Sequence, residues 1–196
     1  HDRPFLGPDW RRVAAELHTG VTLFFVLSGF VITYQYCGKL ESLGFRSYVV
    51  RRAARILPVY FTLLSIQFLY QTAAMDAPPD AFALLTNYTL LKGFFAPIAI
   101  KFSGIPQSWS LTVEEVFYFL APVIFASTLA GGRFRVARWL AVFYGAGLIM
   151  RVTGFALGWR GLFDGWEFIM LYTFFGRALE FLLGIGLALT IISPSL

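Results

Sequence analysis

Long apolar runs alternate along this chain with short clusters of charge, glycine and proline. From Thr19 to Tyr36 the sequence TGVTLFFVLSGFVITYQY carries no charged residue. As an α-helix it would rise about 27 Å, close to the hydrocarbon thickness of a bilayer. A second run extends from Ile56 to about Ala74, with Pro58 in its expected first turn, where a missing amide proton costs least. It ends in MDAPPD, an acidic, proline-rich turn. Three further apolar runs cover 110–130, 136–154 and 168–192. The stretch 81–100 is apolar on average, but Asn87, Lys92, Gly93 and Pro97 interrupt it, so pattern alone leaves it open.

Composition turns these runs into membrane spans. Hydrophobic residues make up 58% of the chain and charged residues only 14%, against roughly 25% charged in soluble domains. Aromatic residues at 18% suit helices anchored at lipid interfaces. The net charge of +5 is concentrated in two connections. Residues 37–55 hold Lys39, Arg46, Arg51, Arg52 and Arg55 against Glu41, and RFRVAR holds Arg133, Arg135 and Arg138. The positive-inside rule places both on the cytoplasmic side. Parity then decides the open stretch: with one crossing after the outer MDAPPD turn, RFRVAR lands inside, so 81–100 is interfacial or re-entrant. The expected fold is an all-α, polytopic integral membrane helix bundle. It has about five spans, 19–36, 56–74, 110–130, 136–154 and 168–192, plus that one segment. Residues 1–18 read as an extracytoplasmic polar loop leading into a short amphipathic turn.

Several classes fall away. No basic face of soluble length exists for nucleic acid. The single cysteine, Cys37, excludes an internal disulfide, and no His-x-x-x-His, cysteine pair or carboxylate cluster suggests a metal. What remains is polar chemistry at membrane depth. Arg51, Arg52 and Arg55 fall within about one helical turn. Like charges so placed repel unless an anion lies between them, and guanidinium forks bind pairs of phosphate oxygens; headgroup contact and topology marking are the plainer use. Glu114 and Glu115 follow Ser108 and Ser110 at an expected helix start, about 100° apart, so they should have separate roles. Arg177 and Glu180, spaced i, i+3 in the last run, can pair with each other. His1 and His18 are the only histidines, the usual general bases near neutral pH. Ser28 and Gly29 offer small atoms in mid-span. Ser28 and Cys37 are candidate covalent nucleophiles, but neither has an evident base nearby in sequence.

Three stretches in order, GVTLFFVLSGFVIT, RSYVVRRAARILPVY and QSWSLTVEEVFYFLAP, together resemble the membrane-bound acyltransferase 3 family of O-acyltransferases that modify surface polysaccharides and other glycans. GRALEFLLGIGLAL resembles the family's later Arg/Glu helix. The resemblance covers residues 20–190. It implies an enzyme of about ten transmembrane helices, of which residues 1–196 form a partial membrane domain lacking the first helix and the C-terminal helices. The implied reaction moves an acyl group, usually acetyl, from acyl-CoA to a sugar hydroxyl in the inner (plasma) membrane, with no tightly bound cofactor. The family's Arg-x-x-Arg pattern falls on Arg52 and Arg55, which imply donor binding together with Ser28 and Gly29. Trp109, Glu115 and Tyr118 match Trp-Ser-Leu-x-x-Glu-Glu-x-Phe-Tyr. The resemblance places the catalytic base at His1 rather than His18, with Glu115 orienting it or an arginine. Trp109, Tyr118, Arg177 and Glu180 are the expected acceptor-side residues. Thr22 stands where the family often has an acidic residue.

The expected chemistry is attack on the thioester by an acceptor hydroxyl whose proton passes to His1. The expected partners are acyl-CoA, a glycan or other hydroxyl acceptor and the lipid bilayer. The rival reading is a transporter or flippase for an anionic or lipid-linked substrate, in which the arginines bind the head group and Arg177 and Glu180 gate it. Topology leaves a gap, because the arginines are expected inside and His1 outside, up to about 30 Å apart. A cysteine placed at Arg46 in a Cys37→Ser background should resist an impermeant thiol reagent on intact cells and react once the membrane is opened. Labelling from outside would reverse the orientation.

Overall fold

The computed structural model describes residues 9–129 and 135–192. Helix α1 spans Asp9–Tyr36, so the first span is extended backward through residues expected to be loop. Arg, Ala, Glu and Leu in RRVAAEL are strong helix formers, and extending an existing helix needs no new nucleus. A short α2, Leu40–Leu43, leads to α3, Phe45–Met75, which begins well before the expected Ile56. Arg51, Arg52 and Arg55 therefore lie inside a continuous helix. Pro58 lies in its interior and not in its first turn, correcting the sequence expectation. Proline there removes one backbone hydrogen bond. At 31 residues α3 is about 46 Å long, more than the hydrocarbon core, so one end must project into the interface.

After the left-handed Asp76 (φ 49°), residues 81–108 form only short pieces. These are α4 (Ala81–Tyr88), a 3-10 turn at Lys92–Phe94, α5 (Ile98–Lys101) and a second 3-10 turn at Pro106–Ser108. None is long enough to cross a bilayer. Asp80 caps α4 by accepting from the Ala83 amide at 2.6 Å. Buried Lys92 fastens the segment by donating to the carbonyls of Ser103 (2.8 Å) and Ile105 (2.6 Å). Phe95 forms an isolated antiparallel bridge with Leu162, in the connection after the fourth span. That bridge puts the segment beside the later loop.

The remaining helices are α6 (Trp109–Leu129), α7 (Arg135–Ala156), α8 (Trp166–Tyr172) and α9 (Ala178–Ile192). The last apolar run is thus two helices, interrupted at 173–177. Thr173 turns its hydroxyl back to the Ile169 carbonyl (2.7 Å), and Gly176 comes so close to Met170 that a Cβ would run into its carbonyl. Among the described residues, four helices are long and apolar enough to cross a membrane: Thr19–Tyr36, Phe45–Met75, Pro106–Ser127 and Val136–Ala156. Large apolar side chains such as Leu23, Leu69, Ile149 and Phe155 face outward, as lipid-contacting residues do. The all-α membrane bundle expected from the pattern is therefore present.

The bundle is centred on α1 and α9. A Cβ on Gly29 would strike the Phe181 carbonyl, and one on Gly184 would strike the Val26 carbonyl and lie 2.7 Å from the Phe30 amide nitrogen. Each helix thus presents a glycine to the other's backbone, the close approach that small residues allow in membranes. Phe181 stacks on Phe117 of α6 with centroids 4.3 Å apart, and Phe25 meets the same ring edge-on.

Two stability outcomes follow from these contacts. Gly184→Leu should force α1 from α9 and lower the detergent-solubilised melting temperature markedly, because the clash is with backbone and overpacking costs about 1–3 kcal/mol or more; unchanged melting would show that the helices are not in backbone contact. Burial pushes the Lys92 ammonium from 10.5 down to about 7. Between those values the unfolded chain binds a proton that the native state does not, so stability should rise with pH from about 7 to 10.5. In Lys92→Met the melting temperature should fall and that rise should flatten.

Candidate functional site

A cavity of about 390 Å³ lies between α1, α3 and α6. Three helical stripes build it. Phe24, Leu27, Ser28 and Val31 share one face of α1; Arg52, Arg55 and Ile56 share one of α3; Leu111, Glu114 and Tyr118 share one of α6. Each set follows i, i+3, i+4 or i+7 spacing, so helix periodicity alone aligns the members once the helix is oriented. The result is an apolar wall holding a serine, a carboxylate, a phenol and two guanidinium groups.

Arg52 is only 7% exposed. Its guanidinium lies between the rings of Tyr36 and Tyr118, 5.2 and 4.9 Å from their centroids. Cation–π contact of this kind offsets part of the desolvation cost. Its Nε and Nη2 are buried and have no hydrogen-bond partner among the described residues. A buried charge with unmet donors is costly, and an anion with paired oxygens would answer both needs. Arg55, one turn along, is exposed at the cavity, and Arg51 is exposed off it.

Across the cavity, the Ser28 hydroxyl donates to Glu114 Oε1 at 2.9 Å and lies 3.1 Å from the Tyr118 hydroxyl. Ser28 has one proton and it points at Glu114, so Tyr118 is the donor to Ser28 Oγ. Glu114 is 4% exposed. A hydroxyl-to-carboxylate hydrogen bond, a phenolic donor and a guanidinium above the same phenol form one connected group.

The other expected residues lie elsewhere. Gly29, next to Ser28, faces α9 and not the cavity. Glu115 does not line the cavity; its Oε1 is buried and has no hydrogen-bond partner among the described residues. Trp109 is buried at the start of α6, edge-on to Tyr172 with centroids 4.9 Å apart. Arg177 pairs with Glu180 at 2.9 Å, donates from Nε to the Leu171 carbonyl at 2.7 Å and reaches Thr22 Oγ1 at 3.5 Å. This group ties the α8–α9 break to the other end of α1's span. His1 lies outside the described residues; His18 belongs to α1 by its backbone, and its side chain lies outside the description. No cluster of three metal-ligating side chains occurs among the described residues. Sequence reasoning passed over Glu114 for its neighbour. The i, i+4 relation of Glu114 to Tyr118 is the signal that could have found it.

A 29% identity over 125 residues links the chain to a Staphylococcus aureus (strain COL) protein provisionally named an O-acetyltransferase, covering 56% of this chain and 20% of that protein. Listeria monocytogenes OatA, named a peptidoglycan O-acetyltransferase, is 27% identical over 121 residues, 53% of this chain and 19% of its own. Bacillus subtilis YrhL, provisionally named a peptidoglycan O-acetyltransferase, is 32% identical over 123 residues, 53% of this chain and 18% of its own. The chain spans about a fifth of the length of these curated relatives in each alignment. No solved structure matches it. The family model described as an acyltransferase domain matches residues 7–191, a range that includes all three helices around the cavity, and this integral membrane chain therefore belongs to the acyltransferase 3 family.

Proposed function

We propose that the complete protein is a membrane O-acyltransferase that moves an acyl group, acetyl in the first instance, from acyl-CoA to a hydroxyl of a carbohydrate or related cell-surface acceptor. The observation that carries this reading is Arg52, buried between two tyrosine rings with two nitrogen donors that have no hydrogen-bond partner among the described residues. Phosphate oxygens of coenzyme A match a guanidinium fork, and Arg55 adds a second cation at the cavity. The apolar wall of Leu27, Val31 and Leu111 suits the pantetheine arm and acyl group. Acyl-CoA is a substrate here, and no tightly held cofactor enters the scheme.

Family membership and the names of the Listeria and Bacillus relatives support the acceptor class. In this proposal the arginine-rich end of α3 faces the cytoplasm, where acyl-CoA is made, in the inner (plasma) membrane. The acceptor approaches from the opposite side, near residues 1–18, and His1 takes the acceptor's proton. Arg177 and Glu180 act through the position of α9, since both are engaged in local bonds.

Replacing Arg52 tests the reading in membranes of cells expressing the complete protein. Arg52→Ala should raise the KM for acetyl-CoA by about tenfold to a hundredfold, as expected for losing charge-assisted hydrogen bonds worth about 1.5–3 kcal/mol. Arg52→Lys should recover little of it, because an ammonium lacks the planar fork. An unchanged KM in a folded variant would overturn the donor assignment. Passage of an anionic substrate without coenzyme A release would point to a transporter.

A further inference from the structure

The sequence leaves Ser28 without a base, and the fold supplies one from 86 positions away. Resting on the acyltransferase reading above, we propose that Ser28 is a covalent way-station: its Oγ takes the acyl group from acyl-CoA as an ester before the group passes to the acceptor, with Glu114 accepting the serine proton. Serine is a weak nucleophile until a neighbouring base removes its proton, and the signature is a nucleophile-to-base bond of about 2.6–3.2 Å. Ser28 Oγ to Glu114 Oε1 measures 2.9 Å, with the proton already directed at the carboxylate. Tyr118, one turn beyond Glu114, donates to the same Oγ and holds the rotamer. All three side chains line the cavity that holds Arg52 and Arg55. Cys37, the other carrier weighed from sequence, fits worse: it lies outside the cavity lining, and burial pushes its thiol up from its usual value, away from the reactive thiolate.

The steps balance. Ser28 Oγ attacks the thioester carbonyl carbon while its proton passes to Glu114. The tetrahedral intermediate collapses with rupture of the C–S bond, and coenzyme A leaves as thiolate, which takes a proton from water. Ser28 now carries the acyl ester and Glu114 holds the proton. An acceptor hydroxyl, giving its proton to the base assigned to it above, attacks the ester carbonyl. The C–Oγ bond breaks, and Glu114 returns its proton to Ser28 Oγ. The acceptor's base then gives its proton to solvent, replacing the one the thiolate took, so the sum is acyl-CoA plus alcohol to ester plus coenzyme A, with Ser28, Glu114 and that base restored.

The placement answers the gap between a donor bound at one face and an acceptor at the other. Ser28 is eight residues from Tyr36, which packs on Arg52, so it lies about 12 Å along α1 toward the opposite side. The way-station requires that a residue at that depth be loaded from one side and unloaded from the other.

The complete protein, purified and placed in vesicles without acceptor, should accumulate one acetyl ester when given radiolabelled acetyl-CoA. Peptide mass spectrometry should place it on Ser28, and hydroxylamine should release it. Ser28→Ala should lose the label and reduce coenzyme A release in native membranes by about a hundredfold or more. Glu114→Gln, which keeps the shape but cannot take the proton, should slow label formation by about 10²–10⁴-fold. Ser28→Cys should move the label to a thioester, showing that a nucleophile at this position is loaded in a folded protein. An ester on another residue, or a Ser28→Ala variant that releases coenzyme A at the wild-type rate, overturns the way-station and leaves the acyltransferase reading standing. A wild-type protein with no acetyl-CoA turnover in native membranes overturns both.

Discussion

The arrangement of this bundle depends on the backbone contact between α1 and α9. Gly29 and Gly184 each remove a side chain where the other helix's carbonyls lie, so two helices distant in sequence come closer than any larger residue permits. In lipid, where apolar burial gives helices little reason to associate, such packing carries much of the specificity. The contact also fixes the rotation of α1. With Gly29 committed to α9, Ser28, about 100° around the helix, is turned toward α3 and α6. Packing and chemistry are therefore set by adjacent residues.

The second constraint is electrostatic. Arg52 sits 7% exposed with no carboxylate paired to it among the described residues, while Glu114 on the facing helix is engaged by a serine. A fold seeking only stability would pair such groups or leave them out, since an unpaired buried charge is strongly unfavourable. Here tyrosine rings surround the guanidinium and a hydroxyl engages the carboxylate, which leaves a cation with unmet donors and a carboxylate lining one cavity. Perturbed, partly unmet polar groups of this sort concentrate where function is carried out. By contrast, Arg177 and Glu180 satisfy each other and the neighbouring backbone, and their work is to hold the break between α8 and α9.

Lys92 shows a third way of handling a buried charge. It is buried with no carboxylate paired to it among the described residues and donates to the carbonyls of Ser103 and Ile105, so two backbone acceptors of a segment with no helix long enough to cross are met. The segment's bridge to Leu162 lends it a partner on the same side of the bundle.

Sequence by itself determined the class of this protein, because lipid imposes a strict pattern: charge-free runs of fixed length, arginine clusters between them, and an interrupted stretch that parity could not count as a crossing. It also marked Arg52, Arg55, Ser28 and Tyr118, which share one cavity. It misjudged where α3 begins, since hydropathy reports the lipid boundary and not the helix boundary, and helix continues through RSYVVRRAAR into the interface. Only tertiary structure decided which glutamate faces the cavity and that Gly29 serves packing. The physical reason is that helix rotation is set by contacts between residues far apart in the chain, and a choice between neighbours 100° apart turns on that rotation alone. The same holds for the bond from Ser28 to Glu114, whose two ends meet only after α1 has been oriented by α9.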